Sequence, residues 1–277
     1  MKRTLALPVL IAIAMGSWAF AAAGAGGPSP GLKFGSSGVL SRDGSTRYVA
    51  VWAGRGTVVE SVRARDGNVD RSVYFRGTYG LPLVAFDGST GGLSANGRRL
   101  VLSTWPAYGR DAVTRFVVVD PRTLRTRSRV QLEGAFAFDA LSPSGSLMYL
   151  TQFLGGPTSG RYVVRVLNLD SKRLYPGAIV DRREPDEKMT GQPMTRTGSG
   201  DGRWAYTLYS RTGKSPFVHA LDTVHRRAFC IDLPVKGWRS WVGRAQMLLG
   251  RGGKTVEVRY DGATVARVDT KTFELRR

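Results

Sequence analysis

The chain has 277 residues, 42% of them hydrophobic, which is enough to bury a sizeable core without covalent links. Its single cysteine, Cys230, excludes an intrachain disulfide and a cysteine-based metal cluster. The formal net charge of +20, from 41 Lys and Arg against 21 Asp and Glu, favours polyanionic partners. Because the basic residues are scattered along the whole chain, compositional bias explains the charge equally well, and no specific nucleic-acid binding is expected.

Residues 1–21 are predicted to be a cleavable signal peptide, with cleavage possible up to residue 25. Lys2 and Arg3 precede an uncharged run, and small residues follow it. An uncleaved membrane anchor is the alternative, and Pro8 and Gly16 weaken it. No later segment is apolar for long enough to cross a bilayer. The mature protein, beginning with a short linker over 22–31, is therefore expected to be secreted or periplasmic.

A turn of the form Ser-x-(Asp/Asn/Ser)-Gly recurs along the chain and is followed by an apolar run. The copies are Ser41-Arg42-Asp43-Gly44, Ser94-Ala95-Asn96-Gly97, Ser142-Pro143-Ser144-Gly145, Ser199-Gly200-Asp201-Gly202 and a degraded Gly250-Arg251-Gly252-Gly253. Their last glycines are 53, 48, 57 and 51 residues apart. Because Asp-Gly and Asn-Gly reach the positive φ values of tight turns, each copy is predicted to connect two antiparallel strands.

A second mark keeps the same period: an apolar strand that ends in Asp and leads into a polar turn. Its copies end at Asp120, Asp170, Asp222 and Asp269, with a weaker first copy at Asp66. Strand-like runs lie between the marks, at 47–52, 99–104, 147–153 and 204–209, and a fourth run follows the second mark, as at 128–132 and 227–233. Each unit is therefore predicted to be a four-stranded antiparallel meander of about 50 residues.

The repeat predicts an all-β fold, a β-propeller of four-stranded antiparallel blades with about five blades. A single propeller domain is expected over 32–277, with repeat units at about 32–82, 83–134, 135–188, 189–237 and 238–277. Residues 31–34 offer an extra strand, and the chain ends near the last strand of its final unit. A blade shared by both ends of the chain is the predicted closure of the ring, and an open arrangement is the alternative.

The two marks resemble the propeller repeats of the TolB-like, WD40-like and YVTN families. In those repeats a Ser-Pro-Asp-Gly turn joins the inner two strands, and an apolar-Asp-x-x-(Thr/Ser) corner follows the third. The closest copies here are Ser142-Pro143-Ser144-Gly145 and Val119-Asp120-Pro121-Arg122-Thr123. The resemblance covers roughly 32–277 and implies an architecture without one activity. Those families usually close six or seven blades, whereas five units are countable here, and no Trp-Asp or Tyr-Val-Thr-Asn string occurs.

Asp87 and Asp139 are the candidate catalytic residues if the protein is an enzyme. Each follows an Ala-Phe pair on a predicted innermost strand, and such strands line the channel of a propeller. Two carboxylates in neighbouring blades could face one cavity, as in five-bladed glycoside hydrolases that use an acid and a base. The corresponding strands of the fourth and fifth units carry Arg196 and Arg244. A channel mouth of mixed charge that binds an ion or ligand without turnover is therefore a further interpretation. Bonding of both carboxylates to turn backbone is the favoured interpretation.

The loop over 105–110 is the best candidate for ligand binding, because Trp105, Tyr108 and Arg110 combine two aromatic rings with a cation. Arg196 at the channel completes the predicted ligand-binding set. Trp52 and Phe153 stand eight residues after their turn glycines, as Trp105 does, and this repeated position predicts packing between blades.

The two histidines, His219 and His225, lie on a predicted strand and on the turn after it, so the first is expected to be packed and the second exposed. No metal site and no cofactor are predicted. The alternation of Arg125, Arg127 and Arg129 places three cations on one face of an outer strand, where charge opposes sheet-to-sheet aggregation, although polyanion binding stays open.

The favoured function is that of an exported, non-enzymatic binding or scaffold module at the cell envelope. The expected partner is a protein or an anionic envelope polymer, and the expected state is a monomer. A secreted glycan-active hydrolase or lyase, with Asp87 and Asp139 at the channel, is the alternative.

Overall fold

The structure, a computed structural model, describes residues 31–155, 160–185, 189–211, 213–235 and 244–276. The predicted signal peptide and almost all of the predicted linker lie outside these residues. The part of the chain that is described forms strands and turns, with a 3-10 turn at Arg251–Gly253 and no α-helix. None of its helical segments is long and apolar enough to span a membrane.

Five antiparallel sheets follow one another along the chain, named here sheets I to V. Sheet I contains β2 (Val39–Leu40), β3 (Thr46–Ala53), β4 (Gly56–Arg63) and β5 (Val69–Arg76). Sheet II contains β7 (Leu100–Ser103), β8 (Val113–Val119) and β9 (Thr126–Glu133). Sheet III contains β10 (Phe136–Leu141), β11 (Leu147–Leu154), β12 (Arg161–Asn168) and β13 (Arg173–Leu174).

The remaining strands complete this succession. Sheet IV contains β14 (Gln192–Gly198), β15 (Trp204–Ser210), β16 (Phe217–Asp222) and β17 (Arg227–Asp232). Sheet V contains β18 (Ala245–Leu249), β19 (Thr255–Tyr260), β20 (Ala263–Asp269) and β21 (Leu275–Arg276). A separate pair joins β1 (Leu32–Lys33) to β6 (Leu81–Pro82). The predicted all-β class and the four-stranded antiparallel meander are confirmed, except that sheet II has three strands.

The predicted turn chemistry is confirmed in the four complete copies of the first mark. In each copy the Ser hydroxyl accepts a hydrogen bond from the backbone N–H five residues further on, which belongs to Thr46, Arg99, Leu147 or Trp204, at 2.8 to 3.0 Å. The last glycine has φ between +65° and +76°, a conformation in which a residue with a Cβ is strained. The mark therefore determines where each first hairpin bends.

The second mark closes the turn after the third strand. Asp120, Asp222 and Asp269 accept hydrogen bonds from backbone N–H groups two residues further on, at 2.9, 3.1 and 2.7 Å. In sheet III the equivalent acceptor is Asn168, whose Oδ1 receives the N–H of Asp170 at 2.9 Å. Asp170 instead forms an ion pair with Arg99 of sheet II at 2.5 Å. This turn thus requires a short side chain whose oxygen accepts a backbone N–H of the turn, and Asn meets that requirement as well as Asp does.

Clusters of buried apolar side chains lie between successive sheets: I and II, II and III, III and IV, and IV and V. The opposite face of sheet I carries Val51 and Tyr74, which are exposed to 40% and 53%. On sheet V, Leu248 and Leu275 are exposed to 40% and 39%. Both end sheets therefore present apolar side chains to solvent in the described part of the chain.

The extra strand at the start of the domain does not join the last sheet, contrary to the predicted shared blade. Leu32 and Lys33 pair with Pro82 and Leu81 instead. The physical reason is local packing, because Leu32 lies against Gly80, which has no side chain to separate the two backbones. The fourth strand of sheet V comes from the same repeat unit as its other strands, since Leu275 on β21 pairs with Val268 on β20.

Candidate functional site

Asp139 and Arg196 form a buried ion pair between sheets III and IV. Asp139 lies on β10 and Arg196 on β14, the first strands of their sheets. Arg196 Nη1 donates to Asp139 Oδ1 and to the Asp139 carbonyl oxygen, both at 2.8 Å. The side chains are exposed to only 7% and 11%, and Asp139 Oδ2 has no hydrogen-bond partner among the described residues. The interpretation that the Asp139 carboxylate bonds to turn backbone was therefore wrong, because the partner of its side chain lies on another sheet.

Asp87 lies in an exposed turn and not on an inner strand of sheet II. Its Oδ1 accepts the backbone N–H of Ser89 at 2.9 Å, as the favoured interpretation had it. The backbone N–H groups of Phe86 and Asp87 donate to the carbonyl oxygens of Pro193 and Met194 on β14, at 2.9 and 3.0 Å. The segment that was predicted as the inner strand of sheet II therefore bonds to sheet IV, and the inner edge of β7 is met instead by isolated bridges from Gly80 and Leu93.

Asp87 and Asp139 therefore both bond to β14, the strand that carries Arg196. One hydrogen bond joins the side chains of Asp139 and Arg196, whereas the Asp87 carboxylate bonds its own turn. The two carboxylates occupy different environments, one buried and paired and one exposed.

A row of polar side chains extends outward from this ion pair across sheet IV. The strand register aligns Arg196, Thr207, His219 and Cys230 on one face of the sheet. Burial lowers the pKa of His219, which is 2% exposed, and its Nε2 has no hydrogen-bond partner among the described residues. Tyr209, whose ring stands edge-on to His219 at 6.1 Å between centroids, is also buried. The interface between sheets III and IV therefore contains a row of polar side chains that crosses sheet IV from β14 to β17.

Sequence reasoning missed this row because its members are far apart in the chain and each resembles an ordinary strand residue. The expectation that His219 packs within a strand is confirmed, and the expected exposure of His225 is confirmed by a side chain that is 54% exposed. The available signal was the polar triplet Thr195-Arg196-Thr197 in an inner strand, where apolar residues are the norm.

The predicted binding loop belongs to sheet II, where it connects β7 to β8. Trp105 is 49% exposed and its indole packs over Gly31, where an added Cβ would approach the ring to 2.3 Å. Tyr108 packs on Phe153 of β11, with 5.7 Å between ring centroids. Arg110 is exposed. The loop therefore presents one open indole, one half-buried phenol and a cation.

A cavity of about 350 Å³ opens beside this loop. It has two aromatic side chains and otherwise small residues, so that its wall is largely apolar. The lining residues are Tyr108, Gly109, Ala112, Gly134, Ala135, Phe153 and Gly155. Arg196, the fourth predicted ligand-binding residue, is not part of this lining and is held in the ion pair with Asp139.

The repeated aromatic position does not pack uniformly between sheets, as the sequence had suggested. Phe153 is buried, but Trp52 is 64% exposed and Trp105 is 49% exposed. β7 ends at Ser103, two residues before the Trp105 position, so the neighbouring sheet offers no strand to cover the end of β3 where Trp52 lies. Two of the three aromatic residues are thus available to solvent at the same end of the molecule as the loop.

Within the ranges that the structure describes, no three His, Cys, Asp or Glu side chains are close enough together to hold a metal ion.

No model of a protein family and no curated protein matches the sequence. Solved structures do match the fold. The β-propeller domain of Cps50 (Swd1) from Myceliophteria thermophila shares 10% identity and a TM-score of 0.50, over 90% of this chain and 70% of that one. A functionally unknown protein of Desulfotomaculum acetoxidans shares 13% identity and a TM-score of 0.51, over 86% and 67%.

The acylaminoacyl peptidase of Pyrococcus horikoshii also matches, with 9% identity and a TM-score of 0.50, over 87% of this chain and 38% of that one. At such identities the likeness concerns the fold alone. Together with the succession of antiparallel sheets, it shows that the chain has a β-propeller fold, and the predicted resemblance to propeller repeats is confirmed.

Proposed function

We propose that this protein is an exported, non-enzymatic β-propeller that serves as a binding or scaffold module at the cell envelope. Its partner is a protein or an anionic envelope polymer, and it acts as a monomer. The proposal includes a signal peptide over 1–21, a propeller domain over 32–277, and one blade for each of the five sheets.

The observation that carries the proposal is the cavity beside the Trp105–Arg110 loop. The loop that carries the exposed Trp105 and Arg110 also contributes Tyr108 to the wall of a concave surface, opposite Phe153. Small cavities with apolar walls and a few polar groups at the rim are the usual form of ligand sites, and Trp, Tyr and Arg dominate the binding energy at many interfaces. A ring or an apolar side chain of the partner fits the cavity, and an anionic group fits Arg110.

The alternative, a secreted glycan-active hydrolase or lyase, has less support from the carboxylates. The Asp139 carboxylate accepts from Arg196 at 2.8 Å and its side chain is 7% exposed, so it is not presented to a saccharide as a catalytic carboxylate must be. Asp87 is exposed and bonds its own turn. The +20 net charge adds general attraction toward anionic surfaces without selecting one partner.

The test is retention of the purified protein on isolated cell envelopes across a salt series, with Trp105→Ala and Tyr108→Ala. Removal of an aromatic residue at the centre of an interface costs about 2 kcal/mol or more, so each variant is expected to bind at least about tenfold more weakly. Trp52→Ala is the matched control, because it removes an exposed Trp from the same repeat position in another sheet. Its retention should equal that of the unchanged protein.

Equal losses in Trp105→Ala and Trp52→Ala would reject the loop as the site, and unchanged retention in both loop variants would do the same. Because Trp105 packs on Gly31, urea unfolding of each variant must show that the propeller remains folded. A protein that is not retained at any salt concentration, and that turns over a member of a glycan panel, would replace the proposal by the hydrolase alternative.

A further inference from the structure

A second cavity lies between sheets III and IV, at the end of these sheets opposite the Trp105 loop. Its volume is about 250 Å³. One wall is the segment 175–180 that follows β13, and the other is the turn between β16 and β17. The turn is anchored to sheet III by the hydroxyl of Tyr149, which donates to the Thr223 carbonyl oxygen at 2.9 Å. The turn is therefore held against sheet III.

The lining of this cavity contains three arginines and a histidine but no carboxylate. Arg182, His225, Arg226 and Arg227 contribute to it, and neither Asp nor Glu is among the lining residues. Arg182 and Arg226 are exposed, and the guanidinium of Arg226 lies over the ring of Tyr175 at 4.7 Å from its centroid. Stacking on an aromatic ring restricts a guanidinium while leaving its N–H groups free to donate in the ring plane.

Two carboxylates close to the lining residues in the chain, Asp222 and Asp181, are engaged with other groups. Asp222, whose side chain has no exposed surface, lies beneath the turn and accepts from Arg203 at 3.0 Å and from Arg227 at 3.2 Å. Although burial acts to raise the pKa of Asp222, the hydrogen bonds from Arg203 and His225 lower it well below its usual range. Asp181 is paired with Arg183 at 2.7 Å. One Asp222 charge thus faces two arginines, and the cavity retains an excess of positive charge.

We infer that this cavity is a binding site for an oxyanion, namely a phosphate group carried by a larger ligand. Guanidinium groups bind phosphate through paired, charge-assisted hydrogen bonds, which are the strong ones in proteins. Arg182 follows one wall and Arg226 lies on the other, so a phosphate between them receives donors from two separate segments of the chain. A cavity of about 250 Å³ is large enough for the oxyanion and part of the group to which it is attached.

This site goes beyond the proposed function and does not depend on the envelope partner. It shares no lining residue with the cavity beside the Trp105 loop. Binding of a small phosphate can therefore be measured without knowing what the loop recognises, and either proposal can fail alone.

The experiment is a titration of the isotope-labelled protein with inorganic phosphate at constant ionic strength, followed by amide chemical shifts of Gly177, Ala178 and Arg226. Saturable shifts with a dissociation constant of about 1 mM or lower are expected. Arg182→Gln combined with Arg226→Gln should weaken the binding by at least about tenfold. Neither arginine contributes to the ion pairs of Asp222, so the turn is expected to keep its structure.

Arg125→Gln combined with Arg129→Gln is the matched control, since it removes two exposed positive charges, one on β9 and one directly before it. It should leave the phosphate shifts unchanged. Shifts that do not saturate, or an equal loss in both double variants, would show general attraction to surface charge and overturn the site. Vesicles of phosphatidylglycerol, with phosphatidylcholine for comparison, then identify the source: binding that requires Arg182 and Arg226 indicates a lipid headgroup, and binding of inorganic phosphate alone indicates a soluble phosphate.

Discussion

The two faces of sheet III pack against their neighbours in different ways. Toward sheet II the contact consists of apolar side chains such as Phe138, Met148 and Leu150, which are almost completely buried. Toward sheet IV, apolar residues surround a polar line that contains the Asp139–Arg196 pair and His219. The same four strands thus support an apolar interface on one side and a partly polar interface on the other.

The difference shows how packing and specificity are divided between the interfaces. Burial of apolar side chains stabilises the contact roughly in proportion to its area and tolerates exchange of similar residues. A buried ion pair adds little net stability, but removal of one partner leaves an uncompensated charge in the interior. The III–IV interface should therefore be the more sensitive to changes of polarity, and the II–III interface the more sensitive to changes of volume.

The largest expected effect is that of Arg196→Met. It keeps most of the side-chain volume but leaves the Asp139 carboxylate buried without its cation, and the expected cost is about 3 to 5 kcal/mol in the free energy of unfolding. Urea unfolding measures it. Leu150→Ala on the opposite face is the comparison, with an expected cost of about 2 to 5 kcal/mol through cavity formation.

The two losses can be told apart by a second change. Asp139→Asn added to Arg196→Met removes the unpaired charge and should recover a large part of the loss, whereas Asp139→Asn added to Leu150→Ala should not. A decrease of less than about 1 kcal/mol in the unfolding free energy of Arg196→Met would contradict the buried ion pair, because it would mean that the Asp139 carboxylate is solvated or paired elsewhere.

An intermediate effect is expected from His219 and appears as a dependence on pH. Burial lowers the pKa of His219 below 6.5 in the folded state, with Asp139, Arg196 and Asp181 as the charges that act on it. As pH falls below 6.5 the unfolded chain binds a proton that the folded chain does not, so stability decreases by up to about 1.4 kcal/mol per pH unit. His219→Gln should remove this contribution from the unfolding free energy measured between pH 7 and pH 5.

Thr207→Val serves as the matched control, since Thr207 is buried beside His219 in the sheet and does not titrate. Its pH dependence should follow that of the unchanged protein more closely than that of His219→Gln. Identical pH profiles for His219→Gln and the unchanged protein would mean that the imidazole is protonated as easily in the folded state as in the unfolded state. Water would then reach His219 in the interface between sheets III and IV.

The smallest expected effect is that of Asp87→Ala. Only a bond from the carboxylate to the Ser89 N–H is lost, in an exposed turn, and the expected cost is about 0.5 kcal/mol. Thermal unfolding measures it, with Asp139→Ala as the contrasting change. Similar losses for the two variants would contradict the difference in environment between the two carboxylates.

Local features of the fold could be read from the sequence because their causes are local. The Ser-x-x-Gly turns require a positive φ at the glycine and a hydroxyl that reaches a nearby N–H, and both requirements are visible within six residues. The alternation of apolar residues then places the second and third strands of each sheet. The Trp105–Arg110 loop was found in the same way, since its aromatic residues and its cation are adjacent in the chain.

Other features depended on contacts between distant segments. Residues 86–87 resemble an inner strand of sheet II, yet their N–H groups bond to β14, more than a hundred residues away. Leu32 and Lys33 resemble a closing strand, yet they pair beside Gly80. Edge strands offer unpaired backbone groups to any neighbour, so their partners depend on which surfaces approach each other in three dimensions.

By itself, the sequence determined the all-β class, the repeating unit and the position of the first-mark turns, because hydrogen bonds between near neighbours and strand periodicity are short-range effects. Only the tertiary structure decided that Asp139 meets Arg196, that His219 is enclosed beside them, and that Arg182 and Arg226 line one cavity. In a propeller such partners come from different repeats, and the cost or gain of a buried or clustered charge depends on what the neighbouring repeat places against it.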